Sequence, residues 1–567
     1  MVLYRLESSS EIKAEKNTSN DNHWIDKPTK KGFFANKFTE FCNRTDLHGY
    51  KYIVMEDINT TERSCWALAV VISIGIAVYF VVTAYKWYAR NPIVTVIEST
   101  HGAIWDVPFP AVTICDLNVI SRKAAREFSN NVTLPPRVTA DEVFEYIRWA
   151  PLLHSTFRSN ETHKEMLHTL QDVLELNHIS MQDFFTKVSP GLSCSELVQR
   201  CMWKNTVYRC DLLFQQVFAQ IKLCCAFNYF AVDTTLFNKN PAKDLVQFDA
   251  PRRVASCGYQ TALTVLVNSN PSDYYSSTSA TQGVLVYIDD AYNIPDSDSP
   301  VRMVNPSTEV LIALSPERTY ATPGIKAFWP KKRECYYNDE LKIGQFRQYS
   351  YHNCLAYRKV QIIRKTCDCI PFYFPVTEYH RSCNFKDMEC IENVSRASKE
   401  TVTIEVESGA LVDCLPECEH YDYPLEVAVG MLAKHAKLSG FAFFKEVNLG
   451  NNSLLNVFFN DLVSTRYRRD VYLNWQNILA SFGGLLSLML GFTLISGFDL
   501  VIFFTFRMMY DALNSVFSSN DVKQNNQSKR RKVNKVYIQD RGSHSTDFIS
   551  DKTRKLELEL RYGKVKF

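Results

Sequence analysis

The hydrophobic pattern along the chain is uneven. Two long apolar runs stand far apart, and the pattern between and around them is mixed. The first run, residues 64–85, carries no charge and is bounded by Arg63 and Lys86. At about 22 residues it is long enough to cross a bilayer core. The second follows Arg468-Arg469-Asp470, starts at Val471 and continues to Phe506, with Asp499 as its one internal charge and Arg507 at its end. It is longer than one span needs, which predicts tilt, a break or projection from the membrane. The first run lies too deep in the chain, and is too long, for a signal peptide.

Between the runs the periodicity changes repeatedly. Ile93–Ile97 and Ala111–Ile114 read as buried strands. Residues 120–220 read mostly helical, with apolar positions at helical spacing in 141–149 and 165–174. Residues 250–320 hold β-type runs at 262–267 and 284–288, separated by Ser/Asn/Pro/Asp-rich turns. Residues 440–469 return to strand alternation and lead into the second run. Residues 1–40 and the tail from about 515 are polar and predict loose order. The expected fold class is a membrane protein: two transmembrane helices with a large α+β ectodomain between them. Its domains are 1–63, a span at 64–86, an ectodomain at 87–470, a second span at 471–506 and a basic tail at 507–567.

Composition then fixes the sidedness. The chain has 567 residues and 17 cysteines, and only Cys42 and Cys65 lie outside the segment from Cys115 to Cys418. That density implies disulfides and an oxidising compartment. The sequons at Asn131, Asn160, Asn393 and Asn451 agree as N-glycosylation sites. Lys529-Arg530-Arg531-Lys532 is the densest basic cluster and favours a cytoplasmic tail. Both termini are therefore expected inside, at the plasma membrane. A net charge of +3 gives no sign of a nucleic-acid partner. No Gly-x-Ser-x-Gly, His-Glu-x-x-His or phosphate loop supports an enzyme, and no cofactor or metal is expected. A two-span receptor without channel activity would share this topology, but it would not need a glycine-interrupted second span that contains a carboxylate.

Five segments in order carry a resemblance: Phe41-Cys-Asn-Arg-Thr-Asp-Leu-His-Gly49, Pro108-Phe-Pro-Ala-Val-Thr-Ile-Cys115, Cys224-Cys-Ala-Phe-Asn228, the array from Cys335 to Cys418 with Tyr349-Ser350, and Gly483-Gly484 followed by Gly491-Phe-Thr-Leu-Ile-Ser496. Together they resemble the degenerin/epithelial sodium channel superfamily over about residues 41–507. The Trp87, Asn91-Pro92 and Pro108-Phe109 context looks most like the insect pickpocket branch.

The resemblance implies a subunit of a homo- or heterotrimeric, sodium-selective, amiloride-sensitive, non-voltage-gated cation channel, with sodium ions and membrane lipids as its other partners. A non-conducting partner subunit is the alternative. It implies a selectivity filter at Gly491, Phe492 and Thr493, where the family usually has Gly-x-Ser, and a pore charge at Asp499, where it usually has Glu. It implies gating roles for His48 and Gly49 on the cytoplasmic side and for Ala480, or Ser481, at the outer end of the second span. It also implies the disulfides Cys115–Cys225, Cys201–Cys210, Cys335–Cys418, Cys354–Cys414, Cys367–Cys390 and Cys369–Cys383. One family rung is absent on both sides, at Arg358 and Val412. Cys194 is assigned to Cys224, which leaves Cys257 without a partner.

Overall fold

A computed structural model describes residues 33–510 and Leu513, apart from 91, 155–159, 192, 233–249, 260, 297–298, 375–379, 398–402, 406–410, 434–441, 446, 448 and 473–474. The expectations for residues 1–32, for the tail beyond 513 and for the basic cluster at 529–532 lie outside the described residues. Residues 33–40 are not loose: they form the start of the helix Phe33–Arg44. The chain divides into two compact units, residues 1–86 with 475–567, and residues 87–474.

The first unit holds the apolar helix Thr60–Arg90, whose last four residues fall in the second unit. At 1.5 Å per residue its 31 residues extend about 46 Å, more than a hydrocarbon core requires. The second apolar run is a bent pair of helices, Trp475–Leu490 and Leu494–Tyr510, meeting at 71°. It does not start at Val471 as the sequence suggested. Val471 closes the strand Val463–Val471, because its backbone is still paired with Ile93.

The second unit is built on three large sheets, with two further two-stranded pairings. A four-stranded sheet orders Ile93–Ala103, Val463–Val471, Glu317–Ala321 and His420–Asp422. Its first two strands are antiparallel, from Ile93 opposite Val471 to Ala103 opposite Val463. The chain segments beside both apolar helices therefore meet in one ladder. The strand Ile93–Ala103 is largely exposed in the protomer, contrary to the buried strand expected there, because it forms the edge of this sheet. The five-stranded sheet contains Ala111–Asp116 at its centre, and every residue of that strand is buried. The six-stranded sheet runs from Leu425–Met431 through Thr308–Leu314, Ser453–Phe459, Leu263–Val267 and Val198–Trp203 to Thr206–Tyr208. Phe109, Ile114 and Phe227 pack with Val265, Val310 and Phe459 in one core. Burying each large apolar side chain contributes about 2 kcal/mol, so this core holds the two sheets together.

Helices cover the region expected to be helical only in part. Arg122–Asn131, Ala140–Ile147, Glu161–Leu176 and Met181–Val188 are helices, and all but Glu161–Leu176 are started by a side-chain cap. Ser121 Oγ accepts from the Ala124 amide, and Thr139 with Glu142 forms a reciprocal capping box. From Val198 to Ala219 the chain is instead mainly strand, since Cys201–Cys210 ties a hairpin that a helix could not form. Phe184, Phe185 and Leu170 share a second core with Phe385, Met388 and Ile391 from the cysteine-rich region.

Seven disulfides lie among the described residues. Cys201–Cys210, Cys335–Cys418, Cys354–Cys414, Cys367–Cys390 and Cys369–Cys383 are paired in the structure. Two assignments are exchanged. Cys115 bonds Cys224, not Cys225, and Cys194 bonds Cys225, not Cys224. The reason is strand register: Cys115 stands directly opposite Cys224 in the antiparallel ladder, at 4.4 Å between Cα atoms. Cys225 points to the opposite face, where Cys194 lies. Cys257 is free.

Candidate ion pathway

The second apolar run is broken where its backbone leaves helical geometry. Gly491 has φ of +67°, a left-handed conformation open to glycine at little cost. Its amide donates to the Ser487 carbonyl at 2.9 Å, which ends the helix Trp475–Leu490 in a left-handed cap. Phe492 follows, and Thr493 starts the next segment: its side-chain oxygen accepts from the Ser496 amide at 3.2 Å and lies 2.9 Å from the Ser496 hydroxyl. The three residues 491–493 thus form the whole connection between the two helical segments.

The His-Gly pair meets this break. The His48 amide donates to the Leu490 carbonyl at 3.0 Å, satisfying one of the carbonyls that a helix end leaves without a partner. The imidazole lies over Gly491. A Cβ at that position would sit 2.7 Å from His48 Cδ2 and 2.9 Å from both Cγ and Nε2. Gly49 itself has φ of +83°, and a Cβ there would meet Val70 Cγ2 at 2.7 Å. Both glycines are therefore fixed by conformation and by close approach. His48 reaches Gly491 because the preceding helix Phe33–Arg44 is anchored: Phe41, Cys42 and Leu47 pack with Phe503 in a small core flanked by Phe492 and Leu500. Phe41 lies 5.4 Å from the Phe503 ring and 5.2 Å from that of Phe504. Glu40 and Arg507 close the contact with an ion pair at 2.5 Å.

Asp499 lies on the segment Leu494–Ile502, six residues beyond Thr493. Ala480 and Ser481 are exposed on the helix Trp475–Leu490, and a Cβ at Gly483 or Gly484 would meet nothing within 4 Å. Residues 48–49 and 491–493 are thus brought together, while Asp499 and residues 480–481 stand apart from that contact. The Glu40–Arg507 pair and the Phe503 anchor were not foreseen. Phe41-Cys42 was noticed as a motif, but nothing in the sequence says which segment it packs on. Asn131, Asn160, Asn393 and Asn451 are exposed, as a glycan acceptor must be.

The described chain thus presents an apolar helix long enough to span a bilayer, a second apolar pair broken at a left-handed glycine, and a disulfide-rich domain between them. The chain belongs to the amiloride-sensitive sodium channel family, which matches residues 41–503. Among its relatives are the sodium channel protein Nach of Drosophila melanogaster, 25% identical over 494 residues, covering 84% of this chain and 88% of the relative. Pickpocket protein 28 of the same species is 21% identical over 537 residues, covering 89% and 83%. The human bile acid-sensitive ion channel is 23% identical over 477 residues, covering 82% and 84%. The similarity is to the insect pickpocket-like branch of the family, whose members are ion channels of the plasma membrane.

Proposed function

We propose that this chain is a pore-forming subunit of a trimeric, sodium-selective, amiloride-sensitive channel that is not gated by voltage. Both termini are cytoplasmic and residues 87–470 are extracellular. The observation that carries the reading is the helix break at Gly491 held by His48. Irregular backbone at membrane depth is tolerated where it lines a wet cavity, and a ring of three such breaks would offer backbone carbonyls to a dehydrating cation. Asp499 of each subunit would add a ring of negative charge that raises the local cation concentration. His48 and Gly49 form the cytoplasmic support of the constriction. Ala480, with Ser481 beside it, is the close contact of the shut pore. The related subunits with which the family assembles are the expected partners.

The test is current. The chain is expressed in oocytes, alone and with related subunits, under voltage clamp. Inward sodium current blocked by amiloride supports the reading. Its absence at verified surface expression in every combination overturns it. A non-conducting partner role is the second reading, favoured by the Thr493 hydroxyl being taken up as a helix cap. It requires that the chain alter the current of a partner while Asp499→Asn leaves that current unchanged.

A further inference from the structure

The turn at 323–333 is built in an unusual way for a surface loop. It leaves the strand Glu317–Ala321 and reaches Cys335 through two helical turns, Pro323–Ala327 and Pro330–Arg333. Arg333 is 2% exposed, a position where an arginine must be fully paired. Its guanidinium donates to the Cys335 carbonyl at 2.9 Å and the Phe328 carbonyl at 3.1 Å, and it also pairs with Glu340. Arg469 in turn donates to the Arg333 carbonyl at 3.4 Å. The loop is therefore rigid.

What this frame holds up is Trp329, which is 82% exposed. Among the described residues its indole has no ring or hydrogen-bond partner, so the fold itself does not use it. Lys326, Lys331 and Lys332 around it are exposed, and among the described residues none has a carboxylate within 4 Å. The Lys332 ammonium lies 5.5 Å from the centre of the Phe328 ring and that of Lys326 5.3 Å from the centre of the Tyr337 ring, so each charge rests over an aromatic face with no carboxylate among the described residues to neutralise it.

The turn's position gives the partner. Ile325 packs with Ile93 and Val471, and the Thr322 amide donates to the Arg469 carbonyl at 3.0 Å. Ile93 lies three residues after the helix Thr60–Arg90, and Val471 four residues before the helix Trp475–Leu490. On the proposed reading, in which both apolar segments cross the membrane, chain continuity brings the turn near a bilayer surface. There an exposed indole flanked by ammonium groups matches the interfacial layer, where tryptophan concentrates and phosphates carry negative charge.

We propose that the 323–333 turn is a membrane-surface anchor: Trp329 enters the headgroup layer of the outer leaflet, and Lys326, Lys331 and Lys332 meet lipid phosphates there. The proposal rests on the extracellular placement of residues 87–470. That placement is checked separately by an endoglycosidase shift lost in Asn160→Gln and Asn131→Gln.

The experiment uses the full-length protein in phosphatidylcholine nanodiscs. Trp329→Phe keeps a ring at the position, and the wild-type-minus-variant emission isolates Trp329. In nanodiscs of lipid brominated near the headgroup end of the acyl chain, that difference emission is expected to be quenched, and less so with bromine near the chain terminus. A triple Lys326→Gln, Lys331→Gln, Lys332→Gln variant is expected to lose the quenching, as is wild type at high salt. Difference emission that is equally strong with and without bromine overturns the proposal. If it is then red-shifted the indole faces water, and if blue-shifted another protein surface covers it. Quenching that persists in the triple variant overturns the phosphate contact.

Discussion

Replacing Gly491 by alanine tests the contact between the helix break and the His-Gly segment directly. Two costs arise from the structure. The left-handed φ of +67° costs an L-residue about 1–2 kcal/mol. The added methyl lands 2.7 Å from His48 Cδ2, inside contact distance, and displacing a packed ring typically costs about 1–3 kcal/mol. Together they amount to about 2–5 kcal/mol against the described arrangement, and each 1.4 kcal/mol is about tenfold in population. Sodium current per surface-labelled channel is expected to fall by more than about tenfold in Gly491→Ala. The double variant His48→Ala, Gly491→Ala separates the terms: removing the imidazole relieves the steric part and leaves the backbone part. Part of the current lost in Gly491→Ala should therefore return, with a coupling of about 1–3 kcal/mol in a double-mutant cycle. Gly483→Ala is the control, since its Cβ would meet nothing within 4 Å in the protomer. Strictly additive effects of the two substitutions, or a Gly491→Ala channel with normal current and sodium preference, would refute the contact.

Asp499→Asn is expected to lower single-channel conductance more at low salt than at high salt, because the Debye length is about 10 Å at 0.1 M. Equal conductance at low ionic strength places Asp499 outside the pathway. If Ala480 is the close contact proposed for the shut pore, Ala480→Val should overpack it by about 1–3 kcal/mol and give standing sodium current without stimulus. Unchanged basal current in a conducting channel defeats that role. Burial pushes the Asp116 carboxyl up from 3.8 to about 7, against the hydrogen bonds it accepts from the Asn118 amide and the Tyr274 hydroxyl. A raised folded-state pKa stabilises below the unfolded value and loses that contribution as pH climbs toward 7. Thermal unfolding of the detergent-solubilised protein should therefore shift upward between pH 8 and pH 5, and Asp116→Asn should flatten that shift. An identical pH slope in the variant removes Asp116 as its source.

Periodicity and cysteine count were enough to find the two apolar runs and the disulfide-rich segment between them. Pairing across strands was not legible, because it depends on register. Cys224 and Cys225 are neighbours in sequence but face opposite sides of one strand, and only the ladder with Ala111–Asp116 decides which of them meets Cys115. The segment Val198–Ala219 has apolar spacing that suits helix and strand alike, and the Cys201–Cys210 bridge settles it as a hairpin. In the site, Gly491-Phe492-Thr493 was visible as a motif and the break falls there. The His48–Gly491 approach was not visible, because it joins positions more than four hundred residues apart through a core of phenylalanines that no local pattern links.

The adjacent cysteines also bear on biosynthesis. A strand with two neighbouring thiols, each committed to a different side, can be oxidised wrongly only by presenting its opposite face to the partner. A one-residue slip would do that and would turn its whole apolar set inside out. The mistaken bond would therefore coincide with a misfolded sheet whose core is open to water. Oxidative isomerases act on accessible sulfurs, so the error would stay reachable and the correct pair would be sealed. The doubled cysteine therefore ties the register of an interior strand to its disulfide pairing, so that a slipped ladder and a mispaired bond are one and the same error.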